Sequence, residues 1–549
     1  MNIGTKELKC EVRDILAAFD LTDEETGKTP GEILDFLRAQ GGHSLLIKGK
    51  AGTGKTTLAL QMIEELADEQ VDYYLSTRVS DESLYRQFPW LKEKAKRNEV
   101  LKAGKTFLTK SRPPEAKGGT KEQDSMLRAA QELLGAFGGQ NGEYMVVRSE
   151  LQKLEGQIES GELGGEEDDF SVEYDDNSVT LDFGIMLPEL ELAYDLAESH
   201  LPNKTLMVMD SIEALSERYG ITPQRIMNTL QKDLVEHSGT NIIYVMEAWE
   251  NTDLDYLGDG VIVLSSDEKG GRRIREISIE KLRGSKIDRW KYLFTLLNGR
   301  LQIFDPSWTE MPERFNPHYP VNDPSPRKTS FGNESMDQIF GGLPKGAITL
   351  LEVGEEVPQE TVRRIELSLV ADFVSKMRGV VWFPLNSMNY DIFNDQINEL
   401  VNPECVAKCL RVLHHDSYTD TSRQFVSVVE GSDASHDLKW NSLKYLLSGS
   451  SPPYLSLLGY DALESIYGKG VLNSTAGHLD AMRRLGNVIV AEATSASDSL
   501  KTLANQSTVH LRIENISGTI MVCGEKPHTK YHYLEFRDDR LRPGLIPLV

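Results

Sequence analysis

The sequence predicts an α/β fold built as two tandem copies of one unit. Three observations carry this expectation. Strand-like apolar runs alternate with helical stretches along both halves, the pattern of a parallel sheet covered on both faces. Each half opens the same way, with a short helix, a Gly-Gly pair and then a buried strand: Gly41-Gly42 before His43 to Lys48, and Gly341-Gly342 before Ala347 to Val353. Between the halves lies a stretch carrying Pro306, Pro312, Pro317, Pro320, Pro324 and Pro326, too many prolines for regular structure.

The elements follow in order. Residues 1–29 are charged, with Leu8, Val12, Ile15, Leu16 and Phe19 at helical spacing. This predicts a short N-terminal helical extension. Pro30 to Leu37 reads as a helix with proline at its start. After the strand ending at Lys48 comes a Gly-rich loop, then a helix from Thr56 to Glu69 and a strand from Val71 to Thr77. Further strand-like runs are Thr205 to Met209, Asn241 to Met246, Gly260 to Leu264, Ile274 to Ile279 and Tyr292 to Leu297. Together they predict one domain over residues 30–305. Within it, residues 92–182 break the pattern and read as a charged insertion. Its later part, Glu162 to Asp182, holds nine acids and no Lys or Arg. That composition predicts a solvated surface extension, or a docking surface for a basic partner. Residues 306–328 read as a Pro-rich linker, and 329–549 as the second domain.

Bulk composition narrows the function classes. The chain has 549 residues, enough for two large domains. Its formal net charge of -25 repels phosphate backbones, so nucleic-acid binding is not favoured. The best local basic patch is Arg272-Arg273-Ile274-Arg275. The cysteines, Cys10, Cys405, Cys409 and Cys523, are too few for a disulfide framework and fit a reducing, cytoplasmic compartment. No apolar run is long enough to span a membrane, and the N-terminus has no signal-peptide core. Cys405 and Cys409 would share a helix face near His414 and His415. Their spacing matches no common zinc pattern, and buried thiols beside surface histidines are the better reading.

The sharpest signal is Gly49-Lys50-Ala51-Gly52-Thr53-Gly54-Lys55-Thr56, a match to the phosphate-binding loop GxxxxGK[ST]. A chain of this length would show one by chance about 2% of the time at average composition. The glycines let backbone N–H groups turn inward around phosphates, and the helix N-terminus adds positive potential. Lys55 is placed to reach the β- and γ-phosphates of ATP, and the Thr56 hydroxyl to ligate Mg²⁺. Thr57 follows in the same turn. An apolar strand ending in Asp, Leu206-Met207-Val208-Met209-Asp210, supplies the usual partner on the Mg²⁺ side.

Beside these elements, Lys281-Leu282-Arg283-Gly284 resembles the Lys-x-Arg-Gly signature of RecA-type ATPases of the KaiC branch. The resemblance implies two RecA-like P-loop domains in tandem, the second with a degenerate nucleotide site. It also implies that Lys281 and Arg283 reach from one subunit to the γ-phosphate of its neighbour, in a homo-oligomeric ring or stack. The stretch Gly42 to Trp90 is similar to the archaeal gas-vesicle regulator D proteins. The shared features are His43 to Gly49, the loop, Tyr74-Leu75-Ser76-Thr77-Arg78-Val79-Ser80 and Gln87-Phe88-Pro89-Trp90.

The sequence departs from the KaiC-like pattern at two places. The Glu pair that activates water there falls on Arg78 and Val79, which predicts slow hydrolysis. Asp81, Glu82 and Glu247 are the nearest substitute bases, and Arg78 is a candidate γ-phosphate sensor. In the second half the loop reads Gly354-Glu355-Glu356-Val357-Pro358-Gln359-Glu360-Thr361. The lysine is gone and acids stand where an anion would bind. The repeat puts the Mg²⁺ Asp near Gly459, and a shift of one residue would recruit Asp461. Glu525-Lys526-Pro527-His528 lacks the finger residues.

These features predict an ATP-binding, slowly hydrolysing, Mg²⁺-dependent regulatory switch that assembles through nucleotide sites between subunits and acts on a protein partner. The alternatives are a recombinase-like or DNA-repair accessory ATPase, and a nucleotide-dependent structural assembly protein without turnover.

Overall fold

The computed structural model describes residues 28–76, 81–90, 171–175, 178–182, 194, 197–247, 253–306, 312, 314–415, 423–536 and 541–549. The chain forms two compact units. The first comprises residues 31–263 and 279–288; the second comprises 264–278 and 289–549, with the residues up to Pro30.

In the first unit, helix α1 (Gly31–Arg38) buries Ile33, Leu34, Phe36 and Leu37. Strand β1 (Ser44–Gly49) is buried along its whole length and runs into the glycine loop. Helix α2 (Lys55–Leu66) leaves that loop and β2 (Val71–Ser76) follows. Next come α3 (Asp81–Gln87) and an antiparallel hairpin of β3 (Ser171–Asp175) and β4 (Ser178–Asp182). Then follow β5 (Thr205–Asp210), α4 (Ile212–Tyr219), α5 (Pro223–Leu230), β6 (Asn241–Val245), and the long strands β7 (Gly260–Lys269) and β8 (Arg272–Leu282).

The sheet order is β7-β1-β6-β5-β2. The pairs β1–β6, β6–β5 and β5–β2 are parallel. One row across the sheet therefore reads Ile47, Val245, Asp210, Ser76. The strands are apolar on both faces because helices cover both. Leu46, Met207, Met209, Ile242 and Tyr244 pack with Leu215, Leu230 and Leu234 in one core.

The second unit takes in residues 264–278 of β7 and β8, with β9 (Lys291–Thr295) and β10 (Gln302–Ile303). There β8, β9 and β10 pair antiparallel. A small ladder joins β11 (Lys328–Thr329) to β12 (Leu343–Pro344), flanking α6 (Glu334–Phe340). The main elements are β13 (Ile348–Val353), α7 (Gln359–Ser375), β14 (Arg378–Phe383), β15 (Leu410–His414), β16 (Val426–Val428), β17 (Ser451–Gly459), α8 (Tyr460–Tyr467) and β18 (Val488–Thr494). Four closing strands follow: β19 (Val509–Ile516), β20 (Thr519–Lys526), β21 (His532–Glu535) and β22 (Gly544–Pro547).

Its sheet runs β16-β15-β14-β17-β18-β13-β19-β20-β21-β22. The inner stretch β19-β13-β18-β17-β14 repeats, strand for strand in chain order, the β7-β1-β6-β5-β2 order of the first unit. The row that corresponds to Ile47, Val245 and Asp210 reads Leu351, Glu492 and Gly459. In both units the helix after the loop starts eight residues beyond this row, at Lys55 and at Gln359.

Two regions pack differently from what composition suggests. The later part of the Pro-rich stretch, residues 314–328, is tied into the second unit. Asp323 takes Lys376 Nζ at 3.0 Å and Arg378 at 2.7 Å, and buried Asp372 accepts the Val321 N–H at 2.7 Å. The basic patch is largely spent on packing. Arg272 is buried and donates to the Thr529 and Gly524 carbonyls at 2.6 and 2.7 Å, and Arg275 donates to the Val549 carbonyl at 2.8 Å. Around them Ile274, Leu293 and Phe304 share a core with Ile516, Met521, Cys523 and Tyr533. Arg273 alone of the three is exposed.

Candidate functional site

The glycine loop sits at the C-terminal ends of the parallel strands, the edge at which such sheets bind ligands. Gly54 caps α2 with φ 106°, in the left-handed region where only glycine is unstrained. Its conformation turns the first amides of α2 toward the loop. No acidic side chain stands in the first turn of α2, so nothing there offsets its positive end.

Lys55 is buried, and its ammonium donates to the carbonyls of Gly49 at 2.7 Å and Lys50 at 3.0 Å, so it lies folded into the loop. Thr53 braces the same turn through its hydroxyl to Lys50 O at 2.9 Å. Thr56 donates its hydroxyl to Asp210 Oδ2 at 2.7 Å. One further strand, β6, lies between the loop strand and the Asp210 strand. The two candidate Mg²⁺ residues, 154 apart in sequence, are thus brought into direct contact. Their oxygen chemistry fits a hard divalent cation.

Tyr74 completes this corner; the sequence places it in a stretch shared with the gas-vesicle regulator D proteins but assigns it no role. Its hydroxyl donates to the same Asp210 Oδ2 at 2.8 Å. Burial first, and then the Asp210 charge, push its phenol well above the ordinary tyrosine value. It therefore stays a neutral donor that orients the carboxylate. The signal for it was its period-two position on β2, opposite the Asp210 strand.

Residues 33–280 match the family described as "GvpD gas vesicle protein, P-loop domain". Those residues belong to the GvpD P-loop domain family. Beyond that domain, the chain is similar to Protein GvpD2 of Halobacterium salinarum, 23% identical over 527 residues, which is 91% of this chain and 92% of the relative. It is also similar to Protein GvpD1 of the same organism, 21% identical over 381 residues, 68% of this chain and 60% of the relative.

The GvpD-type domain ends just before the two finger candidates, which lie apart from the loop. Lys281 donates to the carbonyls of Asp255 at 3.2 Å, Tyr256 at 3.4 Å and Gly258 at 2.5 Å. Burial, and then repulsion from Arg283, lower its proton affinity. Arg283, more than half exposed, donates to Asp259 Oδ1 at 2.7 Å. The other oxygen of Asp259 accepts from Ser44, the first residue of β1, at 3.0 Å. The loop departs from the far end of that strand, about 17 Å away at 3.3 Å per residue.

Glu247 is exposed at the end of β6 and its N–H bonds Glu213 Oε1 at 2.7 Å. Arg78 and Val79, and the side chains of Asp81 and Glu82, lie outside the described residues. No helix among the described residues is long and apolar enough to cross a membrane.

In the second unit, the strand rows and helix starts correct the sequence-based loop alignment by one residue. Val353 stands for Gly49, Pro358 for Gly54, Gln359 for Lys55 and Glu360 for Thr56. Gly459 stands for Asp210. Asp461 has a different task. It accepts the Thr494 N–H at 2.9 Å and the Thr494 hydroxyl, tying α8 to the end of β18. Cys409 is buried, its thiol pushed up to about 11 by burial and by Cys405. His414 stacks edge-on against Tyr390. The His/Cys/Asp/Glu group close enough to share an ion among the described residues is Glu430, His436 and Asp437, which excludes both cysteines.

Proposed function

We propose that the chain is an ATP-binding regulatory switch of the gas-vesicle D type, with RecA/KaiC-like domains in tandem, that acts in the cytoplasm on a protein partner. The observation that carries this reading is the Lys55, Thr56, Asp210 and Tyr74 corner at the strand ends. It joins an anion cradle to an oxygen pair suited to Mg²⁺. Gly49 to Thr57 would wrap the phosphates with backbone N–H groups. Lys55 would leave its two carbonyls for the β- and γ-phosphates. Thr56 would ligate Mg²⁺, which when bound screens charge on the terminal phosphates, while Asp210 holds it from behind.

Arg283 engages Asp259 beside the start of β1, so it is turned away from the loop of its own chain. This supports action in trans. Lys281 and Arg283 would stabilise charge on the γ-phosphate of a neighbouring copy, in a ring or stack. Arg78 in place of a carboxylate base suits slow turnover. Burial of Arg272 and Arg275 removes the best nucleic-acid patch, which favours a protein partner.

The test is light scattering coupled to size exclusion, with and without Mg-ATP, with phosphate release followed in parallel. The expected outcome is nucleotide-dependent assembly with slow release, both lost in Lys55→Ala. Assembly with no release would favour the assembly protein without turnover. A monomer indifferent to ATP would sink the switch.

A further inference from the structure

Lys48 stands out on β1. Every residue of that strand is buried, and Lys48 is a charge among apolar neighbours, with its side chain 1% exposed. Burying an ammonium is costly unless it is paired. Its partner is Asp255, 207 residues away, whose two carboxylate oxygens both lie 2.8 Å from Nζ. Lys48 directly precedes Gly49, the first residue of the phosphate loop.

Asp255 sits in a single 3₁₀ turn, Asp253–Tyr256. The backbone of that turn carries Lys281. The Lys281 ammonium meets three carbonyls, those of Asp255, Tyr256 and Gly258, so its position follows the backbone of this turn. Three residues further on, Asp259 holds Arg283 by both backbone and side chain: Arg283 N–H to Asp259 O at 2.8 Å, and the guanidinium to Oδ1 at 2.7 Å. Asp259 is itself fixed to Ser44. Residues 253–259 thus form a strap along β1. It is fastened to Lys48 at the loop end and to Ser44 at the other, and it bears both finger residues.

We infer that this strap couples the two nucleotide contacts of one chain: the state of its own phosphate loop sets the position of the Lys281–Arg283 finger it offers to the next copy. Asp255 is the positioning residue. It touches no phosphate and acts through Lys48 on one side and Lys281 on the other. Closure of the loop on the phosphates shifts the end of β1. Lys48 carries that shift into the Asp253–Tyr256 turn, and the finger moves with it. Occupied copies then assist occupation or turnover at the next site, which is positive cooperativity. This inference rests on the trans reading above.

The test uses the full-length chain and three readouts: binding of a fluorescent ATP analogue, phosphate release against ATP concentration, and assembly by light scattering. Asp255→Asn keeps analogue binding within about threefold of wild type. Its phosphate release at saturating ATP falls 5- to 150-fold, the usual span of coupling between sites, and the ATP dependence loses its steepness. Asp255→Glu restores part of the steepness. A buried lysine left without its partner invites misfolding, so a double variant, Lys48→Met with Asp255→Leu, fills the same space without charge. It is expected to bind the analogue and melt as wild type does, with the same loss of steepness. Lys281→Ala separates the two ideas. If Lys281→Ala loses turnover while Asp255→Asn and the double variant keep full rate and steepness, the strap is overturned and the trans finger stands. If Lys281→Ala behaves as wild type, the trans finger itself falls, and the strap with it.

Discussion

The two phosphate-loop positions of this chain are built on one strand order, with loops of equal length leaving the same strand end, and only one of them has the chemistry of an anion site. At the first, a left-handed glycine caps α2, lysine and threonine follow, and aspartate faces them from β5. At the second, proline caps α7, glutamine and glutamate follow, and glycine stands opposite. Pro358 cannot donate an N–H, and Glu360 lies in the first turn of α7, where it takes up the helix dipole that a phosphate would use. Topology and binding chemistry are therefore separable. The sheet order depends on burial of apolar strands, which both units have, while the loop depends on a few polar residues that the second unit does not carry.

The sharpest way to break this comparison is to count nucleotides. Equilibrium binding to the full-length chain is expected to give one ATP per chain. Lys55→Ala should weaken it about 100-fold, the loss of a charged hydrogen-bonding group, while Gln359→Ala changes it by less than twofold. Two nucleotides per chain, or equal sensitivity at the two positions, would overturn the asymmetry.

A smaller effect sharpens the same contrast at the opposing strand. Asp210→Asn should weaken Mg²⁺-dependent binding about 10- to 100-fold, as expected when the group that orients a metal ligand is changed. Asp461→Asn should leave binding unchanged and lower stability by about 1–2 kcal/mol, because it weakens bonds to the Thr494 N–H and hydroxyl. Titration with Mg²⁺ at fixed ATP, alongside urea melts, checks both. A loss of nucleotide affinity in Asp461→Asn would place a second cation site in the chain.

Much of the first loop was legible in the sequence because its chemistry demands particular residues at fixed spacing. The strand before it, the helix after it and the strand that ends in Asp210 all lie where the pattern put them, within one to three residues at the ends. The second loop was legible as a repeat but not in register. Without a lysine to anchor it, the alignment leaned on Gly354, and only the hydrogen-bonded rows show Val353 opposite the Gly49 position. The Lys48–Asp255 pair could not be read at all. Nothing local distinguishes Asp255 from its acidic neighbour Asp253, and the partner lies 207 residues away. The burial of Arg272 and Arg275 was hidden for the same reason, since their acceptors lie on strands and turns near the C-terminus.

The subtlest contrast lies inside the two cores. The row position held by Val245 in the first unit is held by Glu492 in the second, fully buried, and Glu366 on α7 lies against it. Among the described residues, neither oxygen of Glu492 meets a hydrogen-bond donor. Arg363 reaches Glu366 Oε2 at 3.1 Å. Burial, and then the nearby Glu366 charge, raise the proton affinity of Glu492 well above the usual carboxyl range. The sign follows from linkage. A carboxyl whose folded value lies above its unfolded value of about 4.3 contributes stability below that pH, and loses it as pH rises through the folded value. Glu492→Gln carries no proton to lose and keeps nearly the same shape. Its stability should match wild type near pH 4 and exceed it increasingly from pH 5 to pH 8, by up to about 1.4 kcal/mol for each pH unit. Calorimetry across that range decides the matter. Parallel curves for the two proteins would mean that Glu492 finds a partner, or water, that keeps it charged, and that the second core tolerates a charge where the first uses a valine.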